Sequence, residues 1–374
     1  MNTQESTPSV NILLLFGGKS AEHDVSIISA RNVFRLMDRQ RFSPICGYID
    51  LLGRWWQVNE PSPELKNRNF VSSERLAILP GEGTLSLVTA AGNGHAINID
   101  AVFPVTHGSY GEDGTLQGLL RSIPLPWVGP DVLSSAICMD KIATKRILQS
   151  AGIPSARFVE FLRDENILNT ESLAMSKSLS YPLFVKPANT GSSIGITKVN
   201  SPEGLTAAIE TALLYDNRVL VEEGICGKEV ECAVLGNNGN IQASDIGEVS
   251  APDGFYSYEE KYTAQSKTSI KIPIAASPEV VQSLKETAVK AFKALGCEGL
   301  ARVDMFLLEN NNILINEVNT LPGFTNISMY PALWEHTGLS YSNLITKLID
   351  LAFARHERDA KLKTSPDENI KLSA

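Results

Sequence analysis

Two carboxylates, a guanidinium and an amide recur at alternate positions in the stretch 299–325, GLARVDMFLLENNNILINEVNTLPGFT. Leu300–Leu308 and Ile313–Val318 are rich in apolar and β-branched side chains, and Asn310, Asn311 and Asn312 between them supply turn chemistry. The pattern predicts two antiparallel strands. With an even loop centred on Asn310 and Asn311, Asp304 faces Glu317 and Arg302 faces Asn319. Side chains alternate with a period of two, so these four share one face. Val303 with Val318 and Leu307 with Leu314 then form the core face. Directly opposed carboxylates repel unless something offsets them. A divalent cation would do so, and carboxylate and amide oxygens are what Mg²⁺ accepts, with phosphate oxygens and water completing its shell. The alternative is a solvated acidic hairpin, and an odd loop would break the register.

Other reactive groups sit in loops after apolar runs. Lys186 ends the strand LFVKP and precedes Ala188–Gly195, a glycine-serine loop of the kind whose N–H and hydroxyl groups cradle phosphate. It is not a Walker A loop, and a plain turn is the alternative. Val219–Glu223 and Glu229–Leu235 read as strands around a short hinge, Gly224–Gly227, whose main chain could hold an adenine. The segment 253–263 carries three tyrosines and a phenylalanine. It reads as an active-site cover or as a loop packed on the surface. Val10–Phe16, a continuous apolar run ending in Gly17 and Gly18, reads as a buried parallel strand. A helix over Val25–Met37 follows, which is the start of an open α/β sheet with ligands beyond its carboxyl edge. That places Lys19, Ser20, Glu22 and His23 at the ligand edge, although helix capping is the commoner use of such a glutamate. A strand over Ala101–Thr106 likewise delivers His107 in a glycine-rich loop, as a ligand residue or as a structural histidine.

The positioning elements come next. Further strands are expected at Pro44–Asp50 and around Trp55 and Trp56, and helices at Thr115–Arg121, Ser134–Ser150, Pro278–Leu295 and Ser340–Ala354. Glu60–Gly94 reads as a variable edge segment and Arg355–Ala374 as a charged tail. At 374 residues the chain has room for two or three domains, and 43% hydrophobic with 20% charged residues is a globular composition. A net charge of −9 argues against nucleic acid or an anionic membrane as the main partner. The five cysteines are scattered with no CxxC, which predicts buried thiols in a reducing compartment. The N-terminus has no signal-peptide pattern, and no apolar run approaches the roughly 18 residues of a membrane span. A cytoplasmic protein is expected.

Taken in order, LFGGKSAEHDVS (15–26), HGSYGEDGTLQGLL (107–120), SSAICMDKIATKRIL (134–148), FVKPANTGSSIG (184–195), VEEGICGKEVECAVL (221–235), FYSYEEKY (255–262), ARVDMF (301–306) and INEVNTLPGFTNISMYP (315–331) resemble the D-alanine–D-alanine ligases of the ATP-grasp superfamily. The resemblance runs from about Asn11 to about Ala354. It implies an α/β chain with an N-terminal Rossmann-like domain (1–135), a central ATP-grasp subdomain (136–225), a C-terminal subdomain with a metal site (226–355) and a tail (356–374). It implies ATP-dependent joining of two D-alanines through D-alanyl phosphate for peptidoglycan synthesis. It also implies site roles. Asp304, Glu317 and Asn319 would hold two Mg²⁺ (or Mn²⁺) ions. Lys141, Lys186 and Ser193 would meet the phosphates, and Glu222, Glu223, Ile225, Glu229, Phe255, Lys261, Phe306 and Asn316 the rest of ATP. Glu22, Ser192 and Tyr262 would form a hydrogen-bonded set under a lid. Arg302 and the Gly323 N–H would meet the oxyanion. His107 would lie by the first D-alanine, and Lys261, Ser328 and Met329 by the second. Relatives that use D-lactate carry a histidine-bearing loop at the lid, so EEKY favours D-alanine. A D-lactate or D-serine ligase and a non-catalytic nucleotide binder are the rival readings. Gly224 stands where some relatives have a large aromatic residue, and 54–100 is longer than in the shortest relatives. A homodimer is also implied, with neither a nucleic acid nor a membrane partner.

Overall fold

The structure, a computed structural model, describes residues 10–70, 75–79, 85–89, 97–163, 178–250 and 269–363. The N-terminal unit is built on β1 (Val10–Gly17), flanked in parallel by β2 (Phe42–Ile49) and, on its other side, by a strand at 101–104. A strand with neighbours on both edges and both faces covered must be apolar throughout, and Ile12 to Phe16 are fully buried. Helix α1 (His23–Leu36) follows β1. β3 (Trp55–Val58) pairs antiparallel with β2, so Trp55 and Trp56 lie on a strand as expected. Part of the edge segment forms a separate sheet of β4 (Leu76–Leu79), β5 (Leu85–Thr89) and β6 (Ile97–Ile99). β7 (Ala101–Pro104) completes the main sheet in the order β3-β2-β1-β7. Helix α2 (Thr115–Arg121) has the expected bounds.

The single helix expected over Ser134–Ser150 is two, α3 (Val132–Met139) and α4 (Lys141–Ser150). Asp140 causes the break. Its backbone is extended, and its carboxylate accepts from the N–H groups of Ile142 and Ala143 at 3.0 and 2.9 Å. The cap competes with continuing the helix and prevails. The central unit is an antiparallel sheet in the order β10-β9-β11-β8: β8 (Phe158–Leu162), β9 (Leu183–Pro187), β10 (Thr197–Val199) and β11 (Arg218–Glu223). Helix α5 (Leu205–Ala212) packs Ile209 against Val185, Val219 and Val221.

The C-terminal sheet runs β14-β13-β12-β15-β16: β12 (Lys228–Asn237), β13 (Asn240–Ser250), β14 (Ser269–Lys271), β15 (Gly299–Leu307) and β16 (Ile313–Asn319). One face packs on α6 (Pro278–Ala294) through Leu284, Ala288 and Phe292. The other receives α7 (Met329–His336) and α8 (Tyr341–Asp359) over Ala233, Leu235 and Leu300. Helix α8, expected to stop near Ala354, continues to Asp359 because Arg355 is buried rather than part of a tail.

The β15–β16 hairpin has the expected pairs: Arg302 opposite Asn319, Val303 opposite Val318, Asp304 opposite Glu317. The assumed even loop is wrong. Residues 308–312 make an odd turn, and Leu307 pairs with Ile313 rather than Leu314. A β-bulge at Asn316 restores the register before Glu317. The extra residue re-aims the strand so that Asn316 and Glu317, although consecutive, both line the cleft described next.

Candidate active site

A cleft lies between the central sheet and the C-terminal sheet. Its floor is a row across three strands. Glu231 on β12 is opposite Asp304 on β15, which is opposite Glu317 on β16. Arg302 offsets this charge. Its Nε and Nη2 donate to Asp304 Oδ1 and Oδ2, each at 2.7 Å, and Nε lies 2.9 Å from Glu231 Oε2. Asn319 Nδ2 donates to Asp304 at 2.9 Å. Burial acts to lower the Arg302 pKa, but Asp304 and Glu231 outweigh it and hold the guanidinium firmly charged. Two opposed carboxylates and an amide form a hard-oxygen donor set suited to Mg²⁺. Among the described residues no cluster of three or more His, Cys, Asp or Glu groups could hold a metal alone. Phosphate oxygens and water would therefore have to complete a shell there.

The opposite wall carries cations. Lys186 on β9 and Lys141 on α4 line the cleft. Lys141 donates its ammonium proton to the Thr190 carbonyl and its N–H to the Ala188 carbonyl, which ties the helix start to the glycine-serine loop. Lys186 is ion-paired with Glu222 on β11. Burial would raise the Glu222 carboxyl, but Lys145 and Lys186 overcome it and hold its pKa down at about 2. Beyond Glu222 the lining continues through Glu223 and Ile225, and on the C-terminal sheet through the paired Glu229 and Phe306. The Glu223 carboxylate is already used, accepting from Arg157 at 3.1 Å and from the Ser180 N–H at 2.8 Å.

The glycine-serine loop turns over the cleft through two consecutive left-handed residues, Ser192 (φ 51) and Ser193 (φ 59). Non-glycine residues adopt this only where neighbours over-determine it. Here the Ser192 hydroxyl donates to the Glu22 carboxylate from the N-terminal unit. Glu22 stands at the start of α1 without capping it by its side chain, so the capping alternative does not apply. The space around it requires glycine, since a Cβ at Gly108 would collide with Glu22 Oε2.

His107 is buried behind this junction. Its Nδ1 donates to the Leu321 carbonyl at 2.9 Å, and its Nε2 faces the Ser29 hydroxyl at 3.4 Å. Burial lowers its pKa, so the ring is neutral, with Nε2 as acceptor. Ser29 in turn accepts from the Phe324 N–H at 3.1 Å, and Asn32 Nδ2 donates to the Phe324 carbonyl at 3.1 Å. These contacts fix the loop 321–325 that carries Gly323. The Ser328 hydroxyl accepts from the Thr325 N–H at 2.9 Å, and a Cβ at Gly323 would lie 2.8 Å from it. Met329 turns its thioether into the core beside Gly247, so its side chain faces away from the cleft. Phe255, Lys261 and Tyr262 lie outside the described residues.

Three groups at the site went unread in the sequence. Glu231 and Lys145 look like ordinary strand and helix surface charges. Glu112 reads as one more polar residue of the His107 loop. It accepts from the Gly108 N–H at 2.8 Å, and burial followed by the nearby Glu22 pushes its carboxyl pKa well up.

The family model for the D-ala D-ala ligase N-terminus matches residues 11–130, and that for the D-ala D-ala ligase C-terminus matches 147–350. D-alanine–D-alanine ligase A of Escherichia coli K12 is 46% identical over 359 residues, covering 94% of this chain and 98% of that one. The D-alanine–D-alanine ligase of Shouchella clausii is 47% identical over 360 residues, covering 94% and 97%. Among solved structures, the D-alanine–D-alanine ligase of Coxiella burnetii superposes with a TM-score of 0.82 at 36% identity, covering 95% of this chain and 97% of that one. The VanG D-Ala:D-Ser ligase of Enterococcus faecalis gives 0.81 at 38% identity, covering 92% and 99%.

Proposed function

The chain belongs to the D-alanine–D-alanine ligase family and has the ATP-grasp fold, and from that premise we propose that this cleft joins two D-alanines with ATP, releasing ADP and phosphate. One observation carries the reading: Lys141 and Lys186 face Asp304, Glu317 and Arg302 across a single cleft. Joining a carboxylate to a γ-phosphate brings anions together, so catalysis is largely charge cancellation and positioning. Lys141, Lys186 and the main chain at Ser192 and Ser193 cancel and orient the phosphates. Asp304, Glu317 and Asn319 would hold two Mg²⁺ (or Mn²⁺) ions, which supply positive charge to phosphate oxygens when bound. Adenine and ribose lie against Phe306, Ile225, Glu229 and Asn316, with the Glu222 and Glu223 main chain at the hinge.

The first D-alanine presents its ammonium to Glu22, and its carboxylate takes the γ-phosphoryl group. His107, neutral and engaged at both nitrogens, acts by holding the loop 321–325. The amine of the second D-alanine attacks the acyl phosphate and forms a tetrahedral oxyanion. Asp304 takes Nε and Nη2 of Arg302, so Nη1 is the nitrogen that meets the oxyanion, with the Gly323 N–H as the second donor. Loss of one such donor costs about 3–4 kcal/mol of barrier. Ser328, with Lys261, receives the second carboxylate. The Ser192–Glu22 bond holds the glycine-serine loop over the cleft, and Tyr262, which the resemblance adds to that set, would help keep water from the acyl phosphate. Glu317→Gln should abolish turnover and leave the melting temperature within a few degrees of wild type. Substantial residual turnover would remove Glu317 from the metal site.

Likeness to a D-Ala:D-Ser ligase supports a second reading, in which D-serine is the second substrate. One assay separates them: purified protein with MgATP and D-alanine, alone or with D-serine or D-lactate, following ADP and product mass. We expect D-alanyl-D-alanine as the main product even with equimolar D-serine. A mixed dipeptide as the main product overturns the D-alanine assignment, and no ADP release with any pair overturns the ligase assignment. The need for ATP supports a cytoplasmic setting. No helix among the described residues is long and apolar enough to cross a membrane. A homodimer, as the family implies, should show twice the chain's mass by light scattering.

A further inference from the structure

Lys145 lies one turn beyond Lys141 on α4, on the same side of the helix. Unlike Lys141 it does not line the cleft. It is 2% exposed, and its ammonium sits 2.8 Å from Glu222 Oε2, with the Ala156 carbonyl at 3.5 Å. The other carboxylate oxygen, Oε1, is ion-paired with Lys186. A buried lysine this far from solvent needs its partner, since an isolated buried charge is very costly. The partner, however, carries one negative charge shared between two lysines. The chain Lys145–Glu222–Lys186 therefore has a net charge of +1, and its cleft end is Lys186.

We propose that Lys145 is a positioning residue for nucleotide binding: by occupying one oxygen of Glu222 it leaves Lys186 with net positive charge for the phosphates. This rests on the reading that Lys186 meets those phosphates. Without Lys145, Glu222 and Lys186 form a closed neutral pair. Lys186 is then drawn toward β11, and an incoming phosphate must compete with a full carboxylate for it. Lys145 does this without touching the nucleotide. Removing both Lys145 and Glu222 restores an uncompensated Lys186, so the double variant should recover what the single variant loses. A lysine that only supported the packing of α4 would show no such recovery.

The test is calorimetric binding of ADP and of adenosine to the full-length protein and to Lys145→Met, Lys145→Arg, Lys145→Met/Glu222→Gln and Lys186→Met. Adenosine has the base and sugar but no phosphate. We expect Lys145→Met to weaken ADP about tenfold or more, the size of one charge-assisted hydrogen bond, with adenosine affinity unchanged. Lys145→Arg should stay within about threefold of wild type, since it keeps the charge, and the double variant should bind ADP more tightly than Lys145→Met. If Lys186→Met weakens ADP but Lys145→Met does not, the proposal is overturned and the reading of Lys186 stands. If Lys186→Met has no effect on ADP, the reading of Lys186 falls and takes the proposal with it. Equal loss of ADP and adenosine in Lys145→Met is general damage to the site and also overturns it. Should Lys145→Met fail to fold, the double variant decides. It lacks Lys145 but keeps the charge on Lys186, so a tenfold loss of ADP with adenosine unchanged would overturn the proposal.

Discussion

Single charges at this site act through burial, and two carboxylates show opposite signs. Glu222 has a depressed pKa, so the stability it contributes is present above the ordinary glutamate value of 4.5 and is lost as the pH falls toward about 2. Glu112 is raised by burial and then by Glu22, so its contribution is present at acid pH and is lost as the pH rises through its elevated pKa. Glu112→Gln keeps an oxygen for the Gly108 N–H and removes the ionisation. Its melting temperature should therefore exceed wild type by a margin that grows from pH 5 to pH 8. A constant or shrinking margin would mean that Glu112 ionises freely. None of this was legible in the residues alone. Asp304, Glu317 and Arg302 were readable because alternation on a hairpin announces a shared face. Glu112, Lys145 and Glu231 take their significance from partners distant in sequence, and a lone charge in a loop or helix gives no sign that it is desolvated.

Elements were legible where one periodicity governs them. The apolar β1 run, α2 and the amphipathic α6 fall where the pattern puts them, because burial on fixed faces sets both pattern and element. The reading failed where a local hydrogen bond overrides the period. Ile137, Lys141, Thr144 and Leu148 suit one continuous helix, yet Asp140 ends α3 and caps α4. In the hairpin the expected pairing survived an incorrect loop, since the bulge at Asn316 compensates for the odd turn. Asn316 looks like any alternating strand residue, so only the backbone reveals the bulge. Asp140 also ion-pairs with Arg218 on β11, which locks α4 to the sheet bearing Glu222. Asp140→Ala removes cap and pair together and should cost about 1–2 kcal/mol in urea unfolding, the range for losing an N-cap. Because α4 delivers Lys141 and Lys145, KM for ATP should rise while kcat changes less. Unchanged stability with unchanged KM would make the helix break incidental.

At the scale of the molecule, the cleft needs its sheets held in register, and one buried side chain on α8 ties two of them together. Arg355 follows the point where the amphipathic pattern fades, and for that reason it reads as the start of a charged tail. In the fold it is 5% exposed on α8, donating to the carbonyls of Trp127, at 2.8 Å, and of Gly129, with its guanidinium 4.6 Å from the Trp127 ring centre. Those carbonyls belong to the N-terminal unit. Gly129 in turn lies against Gly299, where a Cβ would come within 3.3 Å of the Gly129 oxygen, and Gly299 begins the strand that carries Arg302 and Asp304. Arg355 thus clamps the base of the β15–β16 hairpin to the N-terminal sheet that supplies Glu22 and His107. Burial lowers its pKa, but a guanidinium so placed remains charged at any working pH. Arg355→Met keeps the aliphatic volume and strands two carbonyls, each costing about 1–3 kcal/mol when left unsatisfied. The urea midpoint should fall accordingly with an unchanged slope, and truncation after Ala354 should fall at least as far. Folded Arg355→Met should keep kcat, because the clamp lies behind the cleft. A midpoint within experimental error of wild type would show that the units are held by their apolar contacts alone.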